Sequence, residues 1–208
     1  KVLISAVALL LAQGGFVGAR ADMFTFQPAG SKDLGDLNHF YHYTWGLQWS
    51  VPTGQQITSA VLTIKNVDNW IHPDPGNHLY THLLDTVRPP LSNPSATNWV
   101  RKGTDWSGGG DNFAGQGILL GDYSDTGPGT ETLVYEIPVD YLGWLSDGNF
   151  GFGIDPDCHY YNDGVSLTII TGPGSGSAVV PVPAAMTLGV VGLAFVIGWS
   201  RWRGKAAA

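Results

Sequence analysis

The chain has 208 residues, which suits one domain of ordinary size once targeting segments are set aside. All 17 acidic residues lie between Asp22 and Asp163, with only five basic ones (Lys32, Lys65, Arg88, Arg101 and Lys102), so this stretch carries a net charge of −12 inside a chain of −7. A body so acidic is repelled by phosphate backbones, which excludes nucleic acid as a partner. Cys158 is the only cysteine, which excludes an intramolecular disulfide and leaves a buried thiol or an intermolecular bridge.

The chain opens on a positive charge at Lys1, followed by the apolar stretch Val2 to Ala12 and the small-residue site Ala19-Arg20-Ala21. This is the layout of a signal peptide, because the apolar core is too short to cross a hydrocarbon layer that needs about 20 residues. Residues 1–21 are expected to be removed after Ala21, leaving Asp22 at the mature N-terminus.

From Asp22 to Thr171 the dominant signal is alternation. Tyr41, Tyr43, Trp45, Leu47 and Trp49 alternate with small or polar residues, which predicts a strand with one aromatic face. The same period recurs in Ala60, Leu62 and Ile64; in Leu133, Tyr135 and Ile137; in Phe150, Phe152 and Ile154; and in Val165, Leu167 and Ile169. Shorter strands are predicted at Met23 to Phe26, Leu79 to Leu84, Asn98 to Arg101 and Gly117 to Leu120, each bounded by turn-forming residues. Only Val139 to Leu145 reads as a helical turn. Many short strands with Gly- and Pro-rich connections predict an all-β protein, a two-sheet antiparallel sandwich of jelly-roll type. Trp70, Trp99, Trp106 and Trp144 are expected to pack in the core or cover the sheet ends.

Fifteen of the 17 acids are Asp, a residue of turns and of cation sites. Asp155, Asp157 and Asp163 fall together at a strand end, where like charges repel unless solvent or a cation separates them. Structural calcium would suit them, with Asp33 and Asp36 completing the shell if the first and last strands are neighbours; solvated turn acids are the alternative. His39 and His42 have zinc-like spacing, but alternation turns them to opposite faces. No Gly-x-Ser-x-Gly elbow, His-Glu-x-x-His or phosphate loop is present, and the chain is expected not to be an enzyme. Exposed rings stacking on sugars, with Trp45 on the aromatic strand and Trp106 beside Gly108-Gly109-Gly110, would make the body a carbohydrate-binding module for extracellular polysaccharide. Burial of the same rings would leave a structural or adhesive role, and a paired-Asp hydrolase of polysaccharides or esters is the third reading.

The Gly/Ser stretch at residues 172–179 predicts a flexible linker. Residues 180–208 begin Val180-Pro181-Val182-Pro183, continue through the uncharged run Ala184 to Trp199 and end in a basic tip with Arg201 and Arg203. About 17 helical residues reach ~25 Å, enough for a transmembrane helix with help from Arg and Trp at its ends. The basic tip orients it with the body outside the cytoplasm.

The order of Pro-containing tetrapeptide, apolar helix and Arg-rich tip resembles the PEP-CTERM sorting signal of exported bacterial proteins, with Val182 standing where that family usually has Glu. The resemblance implies that Pro181, Val182, Pro183, Arg201 and Arg203 form a sorting motif read by an exosortase-type peptidase. It also implies anchoring in the inner membrane during sorting, then residence at the cell surface or in the extracellular matrix. Asn149 to Gly164 and Ile57 to Ile64 are similar to segments of the β-sandwich ectodomains of such proteins.

Overall fold

The structure is a computed structural model that describes residues 21–70, 76–106, 108–124 and 129–174. Residues 1–20, where a signal peptide is expected, and residues 180–208, where the expected sorting motif of Pro181, Val182, Pro183, Arg201 and Arg203 falls, lie outside the described residues.

Every predicted strand is present. They are β1 (Asp22–Phe26), β2 (Tyr41–Leu47), β3 (Gln55–Asn69), β4 (His78–Leu84), β5 (Asn98–Thr104), β6 (Ile118–Ser124), β7 (Glu131–Glu136), β8 (Phe150–Pro156) and β10 (Gly164–Pro173). A two-residue strand β9 (Tyr160–Tyr161) joins them, and the predicted helical turn is a 3-10 turn (Val139–Tyr141) running into α1 (Leu142–Ser146).

The strands form two antiparallel sheets. One has the order β1-β10-β3-β7, with β9 also on β3; the other has the order β5-β2-β8-β4-β6. The chain passes from one sheet to the other at most connections, so neighbours within a sheet are distant in sequence and the apolar faces meet between the layers. Tyr43, Trp45, Phe150 and Phe152 of the second sheet are fully buried against Leu62, Ile64, Leu167 and Ile169 of the first. The polar tips of the two largest rings are satisfied, as burial demands. Trp45 Nε1 donates to Asn98 Oδ1 at 2.9 Å, and Tyr43 Oη donates to the Asp36 carbonyl at 3.0 Å.

β3 is the longest strand, and it keeps one face inward by breaking its own period. Ile57 precedes Ala60, Leu62 and Ile64, and Val67 follows them, so the buried set changes parity twice. Both changes coincide with irregularities in pairing, one against β10 at Ile170/Thr171 and one against β7 between Ile64 and Val67. Asn66, at the second, has φ 49°. Each extra residue turns the following side chains back to the core.

The second sheet is buried on its outer face as well. Every residue of β8 is buried, because its outward positions are Gly151, Gly153 and Asp155. A Cβ on Gly153 would stand 2.6 Å from the Phe113 ring, one on Gly46 2.2 Å from Trp99, and one on Gly151 3.0 Å from Val87. The missing side chains are the seats for Trp99 of β5, for Val87 in the segment after β4 and for Phe113 in a strap of residues 108–117. Leu84, Val87, Trp99 and Phe113 form this second, smaller apolar cluster.

β1 pairs with β10 along Asp22↔Thr171, and Pro173 pairs with Gln55 at the start of β3. The described body therefore begins and ends at one end of the first sheet. β3 runs from that end to Asn69, and 15 residues at about 3.3 Å each make roughly 45–50 Å.

Candidate functional site

At the far end of β3, opposite both chain exits, four segments are tied together by main-chain hydrogen bonds. Leu37 N donates to the Tyr160 carbonyl at 2.9 Å, Trp70 N to His159 at 3.0 Å, and Asp105 N to Phe40 at 2.7 Å. The side chains beside these bonds are aromatic, and they touch in series. Phe40 lies 4.0 Å from His39, His39 lies 4.8 Å from His159, and His159 lies 5.0 Å from Trp70, centroid to centroid. Trp106 follows the Asp105 bond and is 85% exposed; Trp70 is 59% exposed, and Phe40 and Tyr161 are also exposed. Burial first, and the neighbouring His39 second, push the His159 pKa below its ordinary value, which keeps the ring neutral at pH 7.

Successive planes in this chain of rings meet at 56°, 89° and 38°. The surface is stepped rather than flat. Exposed aromatic faces held by backbone bonds can stack on the apolar faces of sugar rings while their edges and the imidazoles offer hydrogen bonds.

Behind this end, on the outer face of the second sheet, lies a buried polar group. Asp155 has no exposed surface. Its Oδ2 accepts the Asn112 N–H at 2.5 Å, while its Oδ1 is buried with no hydrogen-bond partner. Asn112 Nδ2 donates to Asp105 at 2.8 Å, and His82 Nε2 donates to Asp111 Oδ2 at 2.9 Å. Phe113, next to Asn112, lies between the His42 and His82 rings. The strap is thus fastened by carboxylates on either side of one seated ring. Desolvation, first among the causes, raises the Asp155 pKa above the ordinary carboxylate range against the Asn112 bond.

The aspartates expected to share a cation are engaged separately. Asp155 binds Asn112, Asp157 accepts the His78 N–H, Asp163 accepts Asn66 Nδ2 at 2.6 Å, and Asp33 accepts Ser31 Oγ and the Gly35 N–H. The loop carrying Asp33 and Asp36 does lie beside the start of β10, as Asn162 Nδ2 donates to the Asp33 carbonyl at 3.0 Å. Among the described residues, however, no three of His, Cys, Asp and Glu are grouped to hold a metal ion.

The aromatic expectations divide. Trp45 is fully buried between the sheets and has no face for a sugar, because alternation points the whole aromatic face of β2 inward. Trp106, expected in the core or over a sheet end, is instead exposed, as only the alternative sugar-stacking reading requires. Trp70, expected in the core or over a sheet end, is exposed as well; Trp99 is buried and Trp144 half-buried. Cys158 is a buried thiol. His42 faces Phe113 and His39 faces His159, so the two do not act together. Sequence reasoning missed Phe40, His159 and the Asp105, Asp111, Asn112 and Asp155 fastening, for which the only signal was the dense Asp and Asn content of the strap. No known family pattern matches the chain, and no curated protein is significantly similar to it.

Proposed function

We propose that the chain is an exported, membrane-sorted surface protein whose sandwich adheres to extracellular polysaccharide without chemical turnover. The observation that carries this reading is the cluster of exposed rings, Trp106, Trp70, Phe40 and Tyr161, at the end of the body opposite Asp22 and Pro173. Both ends of the described body lie at one end of the first sheet, and the rings stand at the other. The alternation of strands between sheets supports a jelly-roll form of the sandwich, with β5 as an added edge strand. PEP-CTERM-type sorting by an exosortase is part of the same proposal, supported by the tripartite layout of residues 180–208. The stepped arrangement of the rings suits single hydrated glycan chains better than the flat face of a crystalline polymer.

A glycan array probed with the full chain in detergent tests this reading. Binding to at least one polysaccharide is expected, weakened about tenfold by Trp106→Ala or Trp70→Ala, equivalent to roughly 1.4 kcal/mol each. An empty array, or equal binding by the double variant, would contradict it.

A further inference from the structure

Two of the five cations of the acidic body stand on one groove. The groove has a volume of about 440 Å³ and lies on the outer face of the second sheet, lined by Thr44, Asp85, Arg88, Arg101, Phe113 and Gln116 among others. That volume is in the range of small-ligand sites. Its parts rest on strands. Thr44 pairs with Arg101 of β5 on one side and with Gly153 of β8 on the other, and Gly153 is where Phe113 sits. Val87, in the opposite wall, sits on Gly151. The walls meet at Gly117, whose missing Cβ would lie 2.0 Å from the Leu83 carbonyl oxygen. The Arg101 guanidinium lies 5.7 Å over the Trp99 ring, which is itself seated on Gly46, and this contact orients it. Among the described residues, neither Arg88 nor Arg101 makes an ion pair; the salt bridges there are between histidine and aspartate.

Two guanidinium groups with no ion pair among the described residues, beside an apolar floor in a body of net charge −12, call for an anion. A guanidinium matches a carboxylate with two parallel hydrogen bonds. The body's own charge repels dense polyanions, which favours carboxylates spaced one per sugar. We propose that this groove binds a uronic-acid residue of an acidic polysaccharide. Arg88 and Arg101 hold its carboxylate, the buried Phe113 and Val87 form the floor beneath it, and Asp85 and Gln116 meet its hydroxyls. The proposal rests on the polysaccharide reading above and names the class of sugar.

Calorimetric titration of the full chain with tetragalacturonate, and with the same tetramer after carboxyl reduction, tests it. Tetragalacturonate is expected to bind at least tenfold more tightly than the reduced tetramer. Arg88→Gln and Arg101→Gln are each expected to weaken it about tenfold with the melting temperature unchanged. Equal affinity for the two tetramers, or unchanged affinity in the double Arg variant, would overturn the groove's assignment. If neutral glycans bind through Trp70 and Trp106 while tetragalacturonate does not bind, this inference falls and the adhesive reading stands. Failure to bind any saccharide would sink both.

Discussion

Asp155 concentrates the cost of fastening the strap in one side chain. Its carboxyl is raised by desolvation, so the folded protein holds that proton more tightly than the unfolded chain. The contribution of Asp155 to stability is fullest below the ordinary Asp value of 3.8, is lost as pH rises through the raised native value, and stays absent above it. Asp155→Asn keeps an acceptor for the Asn112 N–H and removes the charge. It is expected to raise the melting temperature at pH 7, by about 2–4 °C per kcal/mol of relieved desolvation, with the gain shrinking toward pH 4. A lower melting temperature at pH 7 would show that the carboxylate charge is needed. Gly153 is a second such residue. Gly153→Ala drives a Cβ into the Phe113 ring and is expected to cost about 1–3 kcal/mol in denaturant unfolding. The cost should largely disappear when Phe113 is also Ala, because the clash and its partner are removed together.

At the level of elements, alternation made the strands legible, since one face of nearly every strand meets the core. Tyr41 to Leu47 and Val165 to Ile169 kept one period, and their inward residues followed from it. β3 held a phase that reset twice, and only the middle stretch Ala60, Leu62 and Ile64 could be read because the bulges fall on either side of it. The second covered face of β8 was hidden, because glycines that seat rings look like turn formers until their partners, distant in sequence, are known. The site was legible in Trp106 alone. Trp70 and His159 are 89 positions apart and are brought together by antiparallel pairing of β3 with β9, while the segment of Phe40 joins them through the Leu37–Tyr160 bridge. Trp45 has no face for a sugar for the reason that makes β2 readable: its aromatic face is the core face.

For the whole molecule, the arrangement of ends matters most. The described body begins and ends beside the Asp22↔Thr171 pair, and its exposed rings lie at the opposite end of β3. The proposed export rests on a body carrying −12 between two basic, apolar ends. The most direct test of export is the intact mass of the native protein, measured separately in cytosolic, envelope and extracellular fractions of its own cells. The expected result is a chain that begins at Asp22, found in the envelope or extracellular fraction. A chain that retains residues 1–21 and is confined to the cytosol would contradict it.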